Sequence, residues 1–154
     1  MQIREATTED ATEIKNKLLV PAFREDEQLD IEFNELDEQG LEEAGCEFWL
    51  EDEERVMFIA ETDEELIAQI SAVRVESPPI YTRGDRAHID GLYVKEKHRR
   101  KGVATSLIER IEEWAKDRDC ESVGVTVHKN NVEARDLYER DFNHKFLSYR
   151  RKAE

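Results

Sequence analysis

Apolar positions change their period several times along this chain. Gln2–Ala6, Val56–Glu61, Leu66–Val75 and Ala87–Val94 carry short apolar or alternating runs, which predict four strands. Val103, Leu107, Ile108, Ile111, Trp114 and Ala115 recur at helical spacing, with Glu109, Arg110, Glu112 and Glu113 opposite them. That stripe predicts an amphipathic helix packed inward. Val123, Val125 and Val127 alternate with Gly124, Thr126 and His128 and predict a further strand, and a weaker alternation over Lys145–Arg150 predicts a last one. Ahead of the second strand, Thr8 is placed to cap a helix carrying Ile14, Leu18 and Leu19 that stops before Pro21, and a second helical region runs from Asp30 to Ala44 and ends at Gly45. Thr62–Glu65 reads as a turn and Pro78-Pro79 as a loop. Strands and helices interleaved in this order predict an α/β fold.

Length and charge narrow the choice. At 154 residues one domain spanning 1–154 is expected, large enough to bury about 68–70% of its unfolded surface. No apolar run is long enough to span a membrane, and charges from Arg4 onward replace the apolar core of a leader peptide, so a cytoplasmic protein is expected. Cys46 and Cys120 form no C-x-x-C and read as buried thiols, with no metal site expected. The formal net charge is −15. Between Glu25 and Glu54 there are fifteen Asp or Glu and no Lys or Arg, and removing those fifteen leaves 23 acidic against 23 basic residues. The acidity is local. A nucleic-acid partner is disfavoured, because the one basic cluster, Lys95 to Lys101, is small.

That cluster has a better use. Asp90-Gly91-Leu92-Tyr93-Val94 is followed by Arg99-Arg100-Lys101-Gly102-Val103-Ala104, a strand running through a basic, glycine-containing turn into a helix. Such a turn presents free backbone N–H groups and a helix dipole to an anion, the dipole contributing about 0.3–1 kcal/mol, and the expected ligand is a phosphate ester. The turn is neither the G-x-G-x-x-G of a dinucleotide fold nor the G-K-[ST] of a phosphate-binding loop. Its R-x-x-G-x-A pattern, with the later Asn131, Ala134, Leu137, Tyr138 and Glu139 in the spacing N-x-x-A-x-x-L-Y-E, resembles the two motifs of the GCN5-related N-acetyltransferase superfamily.

The resemblance covers nearly the whole chain and implies a mixed, mostly antiparallel central sheet with splayed parallel strands and flanking helices. It also implies acetyl-CoA as cofactor, held by Leu92, Tyr93 and Val94 on the strand, by Arg99, Arg100, Lys101, Gly102, Val103, Ala104 and Thr105 in the turn and first helical residues, and by Asn131. Two departures are visible: Arg100 stands where many members have glycine, and Tyr138 is followed by Glu139-Arg140-Asp141-Phe142 where the family usually has Gly-Phe.

An N-acetyltransferase must take a proton from an ammonium and give one to a thiolate. Tyr138, with an ordinary pKa near ~10, carries a proton at neutral pH and, by resemblance, donates it to the sulfur. Asp90 is the leading base, acting through water or by its charge, because an ordinary aspartate with a pKa near ~3.9 is too weak to act directly. It shares a strand face with Leu92 unless a bulge intervenes. His88 and His128 are further candidates for a relay. Gly91 within the strand suggests such a bulge. The acidic block reads either as a solvated surface of a salt-loving protein or as a wall of the acceptor cleft that attracts a cationic small amine or a basic peptide. A CoA-binding sensor without catalysis and a protein N-terminal or lysine acetyltransferase are the competing functions. Whether the chain acts alone or as a homodimer is left open.

Overall fold

Alternation along the strands decides which side chains meet which layer. The computed structural model describes residues 1–153, and its five strands are β1 (Gln2–Glu5), β2 (Arg55–Glu61), β3 (Leu66–Val75), β4 (Arg86–Val94) and β5 (Ser122–Val125). They lie in sequence order in one mixed sheet, antiparallel from β1 to β4 and parallel between β4 and β5. Alternate residues of β2 and β3, such as Phe58, Ala60, Ile70 and Ala72, face helix α6 (Val103–Asp117) and pack on its Leu107 and Ile111. The residues between them, Met57 and Ile59, face the opposite layer and meet Ile14 and Leu18 of the first helical segment. The fold is thus an α/β sheet with helices on both faces, as expected from the sequence. No helix is long and apolar enough to cross a membrane among the described residues.

The first helical segment departs from expectation at both ends. Thr7, not Thr8, is its cap: the Thr7 N–H donates to the Asp10 carboxylate at 2.8 Å. Nor does the segment stop before Pro21. It runs as a 3-10 turn (Thr8–Asp10), α1 (Ala11–Ile14), a π-turn (Lys15–Leu19) and α2 (Val20–Leu29). In the π-turn the Val20 N–H reaches back five residues to the Lys15 carbonyl, and this wider ring accommodates a proline that has no N–H to give. The predicted helix over Asp30–Ala44 is two short pieces, α3 (Ile31–Asn34) and α4 (Glu38–Glu43), followed by an unforeseen α5 (Glu47–Glu51). The Asp30 and Asp37 carboxylates cap α3 and α4 through the N–H groups of Phe33 and Gly40, so each aspartate restarts the helix.

At the other end, α7 (Val132–Asp141) follows β5, and the strand predicted over Lys145–Arg150 does not form. Phe146, Leu147 and Tyr149 are instead exposed; with no strand beside them, alternation alone has nothing to pair with. Cys46 is fully buried and Cys120 only partly so; both are free, and burial pushes each thiol's pKa up.

Candidate active site

The site grows from the place where β4 and β5 part. Their pairing runs from Arg86–Ser122 to Ile89–Val125 and ends there, while β4 continues five residues further. On its other edge, Gly91 and Ile89 are opposite the adjacent residues Ser71 and Ala72 of β3, so Asp90 is the extra residue of a β-bulge. Beyond the bulge the Lys95 N–H donates to the Ile67 carbonyl at 2.9 Å. Antiparallel alternation then gives Gly91 and Tyr93 to the β3 ladder and turns the backbone groups of Leu92 and Val94 outward, into the gap left by β5.

The bulge corrects one expectation. Asp90 and Leu92 do not share a face: Leu92 packs toward the α6 core, whereas Asp90 lies on the opposite side with Trp49 of α5. The Trp49 indole N–H donates to Asp90 Oδ2 at 3.2 Å, and Arg55 reaches the same oxygen at 3.7 Å. Asp90 Oδ1 has no protein partner among the described residues.

The turn after β4 supplies the anion site. Arg100 (φ 63°) and Gly102 (φ 83°) both adopt left-handed backbone conformations, which coil the chain so that its N–H groups point one way. The Lys101 N–H closes the turn over Arg99 and Arg100, and the other N–H groups from Arg100 to Thr105 have no protein acceptor among the described residues. A Cβ built on Gly102 would meet nothing within 4 Å; it would project into an open cradle.

The side-chain charges are arranged differently from the expected cationic cluster. Lys95 and Lys97 each lie 2.9 Å from Glu65, with His98 at 3.8 Å; the two lysines hold the Glu65 carboxyl down at about 2. The Arg99 Nη2 donates to both carboxylate oxygens of Glu25 of α2, at 2.9 and 3.0 Å, and its Nε–H donates to the Val94 carbonyl at 2.7 Å. Only Arg100 and Lys101 of the six make no ion pair among the described residues. Beside this turn Glu65, Lys97, His98 and Lys101 line an open cleft of about 410 Å³.

On α7, Tyr138 is only 8% exposed and packs on the core, its ring edge-on to Phe142 at 5.6 Å. Its hydroxyl has no hydrogen-bond partner among the described residues and is not fully enclosed, so it touches solvent. Burial pushes its pKa up to about 12, so it holds its proton well beyond neutrality. Asn131 caps α7, its Oδ1 accepting from the Ala134 N–H at 3.2 Å, and its amide nitrogen is left without a protein acceptor among the described residues.

The histidines are committed elsewhere. The Nδ1 of His128 accepts from the Asn130 N–H at 3.0 Å, which places the proton on Nε2, and Nε2 donates to Asp30 at 2.9 Å. With both nitrogens engaged, His128 fastens the β5–α7 loop to the end of α2 and is no free relay. His88 lies within the paired segment opposite Gly124, before the strands part.

Two residues at the site carried little sequence signal. Trp49 sits in a five-residue helix too short for a period. Gln69 is 2% exposed, its Oε1 unpartnered, and its Nε2 lies 3.5 Å from where a Gly91 side chain would begin. The signal for Gln69 was a lone amide inside the apolar run of β3.

A splayed strand pair feeding a row of unpaired N–H groups at a helix start defines an anion-binding cleft of the acyl-transferring α/β class. The model of the acetyltransferase (GNAT) family matches residues 16–143, and the chain belongs to that family. Streptothricin acetyltransferase of Escherichia coli is 36% identical over 87 residues, which cover 56% of this chain and 46% of that protein. The chain spans about half the length of the curated relatives it matches. A mutant of the BH1408 protein from Bacillus halodurans shares the fold over 100% of both chains with a TM-score of 0.82 at 18% identity. Aminoglycoside N-acetyltransferase AAC(6′)-Iy, solved in complex with CoA, does so with a TM-score of 0.69 at 17% identity over 99% of this chain and 100% of that one.

Proposed function

We propose that this chain is an N-acetyltransferase that uses acetyl-CoA to acetylate a cationic amine. The observation that carries the reading is the run of free N–H groups from Gly102 to Thr105, with that of Arg100 before it, at the foot of the β4–β5 gap. Those groups and the helix dipole suit a pyrophosphate, with Arg100 and Lys101 adding positive charge and Asn131 a side-chain donor. The outward backbone of Leu92 and Val94 suits the extended arm and the acyl group.

When bound, acetyl-CoA supplies an acetyl thioester whose carbonyl gains negative charge as the amine attacks. The Leu92 N–H, fixed in place by the sheet, is suited to stabilise that charge before any reorganisation. An alkylammonium with a pKa near ~10.4 must first lose a proton, and Asp90 Oδ1 is free to accept a hydrogen bond from it or from a water that carries the proton away. Tyr138 keeps its own proton until a departing thiolate needs it. Asp90 and Tyr138 thus act on opposite sides of the same transfer, one holding the cation and the other the donated proton.

The test is thiol release from acetyl-CoA with and without added amine. Amine-dependent release that falls in Tyr138→Phe supports the reading; release indifferent to amine, or none with any amine, rejects it.

A further inference from the structure

Next to the bulge, on the sheet face away from α6, the π-turn, α2, α4 and α5 enclose an apolar cavity of about 210 Å³ lined by Leu19, Phe23, Leu41, Phe48 and Trp49. Trp49 belongs to both sites: its ring forms part of this wall and its N–H holds Asp90. The cavity therefore adjoins the residue at which β4 and β5 separate. Phe23 and Phe48, both lining it, are 40% and 50% exposed, and the Phe48 ring stacks on Trp49 at 3.9 Å.

Carboxylates outnumber cations around this cavity. Glu42 and Glu43 on α4 and Glu47 on α5 stand beside its lining residues Leu41, Ala44 and Phe48. Both cations at its edge are already engaged: Lys15 donates to the Glu42 main-chain carbonyl, and Arg55, lying over the Phe48 and Trp49 rings, pairs with Asp52 and Asp90. An apolar interior with an acidic rim and a half-free carboxylate beside it fits a ligand with an apolar body and a cationic head. Size limits the body: at about 210 Å³ the cavity falls below the ~300–1,000 Å³ of sites for drug-sized ligands, which leaves room inside it for one ring or a short branched chain.

We propose that this cavity is the acceptor pocket and selects primary amines carrying a single small apolar group, of the arylalkylamine kind, with the ammonium on Asp90 Oδ1 and the apolar body between Phe23 and Phe48. This inference rests on the N-acetyltransferase reading for its chemistry, but its binding test does not.

Isothermal titration of the full chain with 2-phenylethylamine and with 1,4-diaminobutane is the test. Binding of 2-phenylethylamine at least about tenfold tighter, the scale on which apolar pockets discriminate, is expected. Leu41→Trp and, separately, Ala44→Phe fill the cavity and should erase that preference, while a retained rise in melting temperature with acetyl-CoA certifies the fold. Equal binding of the two amines overturns the proposal, as does unchanged binding in both filled variants. A dimer in sedimentation that either filled variant dissociates also overturns it, since a second copy would then occupy the cavity. Thiol release measured in parallel separates the two claims. Selective binding with no release from any amine rejects the enzymatic reading and keeps the pocket; equal release with both amines rejects the pocket and keeps the enzyme.

Discussion

Arg99 grips Glu25, 74 residues away in sequence, through one nitrogen, Nη2, which reaches both carboxylate oxygens at 2.9 and 3.0 Å. The guanidinium thereby ties the start of the anion turn to α2, and its Nε closes the loop onto Val94. The first arginine of the motif is thus a brace for the turn more than a ligand in it. Arg99→Lys keeps the charge but, with one nitrogen in place of three, cannot hold Glu25 and the Val94 carbonyl together. It should lower stability by roughly 1–2 kcal/mol, the sum of a lost hydrogen bond and a partly exposed pair, and weaken acetyl-CoA binding less than about tenfold. Denaturant unfolding and calorimetry check the two numbers; a far larger loss of affinity with no loss of stability would put Arg99 on the phosphate.

Gly102 has a double requirement, a positive φ and an empty Cβ position. Gly102→Asn tolerates the left-handed conformation but places a side chain in the cradle. It should melt close to the parent protein yet lose the ligand-induced stabilisation, about 2.7 kcal/mol at a hundredfold excess over Kd. Gly102→Val should lose both. A Gly102→Asn protein stabilised normally by acetyl-CoA would dissociate the turn from the cofactor.

The Tyr138 hydroxyl has no hydrogen-bond partner among the described residues, so removing it sacrifices no hydrogen bond to them. Tyr138→Phe should leave stability nearly unchanged and lower kcat by roughly 10²–10⁴, the worth of a general acid, with little change in acetyl-CoA affinity. Near-normal turnover would return the ring to a purely packing role.

The same residue predicts an alkaline signature. Its folded pKa, about 12, lies above the ordinary 10.0, so the folded state holds the proton more tightly and the associated stability is fully present below pH ~10. It is lost as pH climbs from there toward 12. Unfolding followed by denaturant between pH 8 and 12 should show this loss in the parent and a smaller one in Tyr138→Phe; identical slopes would refute the buried setting. In kcat, no falling limb from Tyr138 should appear below about pH 10.

Asp90→Asn keeps the Trp49 contact and removes the charge. Amine kcat/KM should fall by about 10–100-fold, since a charge-assisted contact contributes roughly 1.5–3 kcal/mol, while acetyl-CoA affinity holds. The parent's kcat/KM for a cationic amine should also decline with added salt, because exposed charges are screened over about 8 Å at physiological ionic strength, and less so in Asp90→Asn.

Long periodic elements were legible in the sequence: α6, β2, β3 and β4 stand within a residue or two of their predicted bounds, because burial on a fixed face enforces the pattern. The turn from Arg99 to Thr105 and the α7 residues around Tyr138 were legible as motifs. What could not be read are features set by tertiary partners. The face of Asp90 depends on a bulge against Ser71 and Ala72; the fate of Arg99 depends on Glu25; α5 exists because Trp49 and Leu50 pack beneath the sheet. The acidic block was visible as charge, but its pairings of Glu25, Asp30 and Glu38 with Arg99, His128 and Arg24 were not. Part of that charge fastens α2 and its neighbours to the rest of the fold.

The central claim is that the free backbone N–H groups of Arg100–Thr105, with those of Leu92 and Val94, receive the cofactor. Titrating CoA into the isotope-labelled chain and following amide resonances tests it at the atoms concerned. The account predicts large, saturable shifts at those amides, with Asn131 among the next most affected. Saturable binding that leaves Arg100–Thr105 unmoved, or no binding at millimolar CoA, would contradict it.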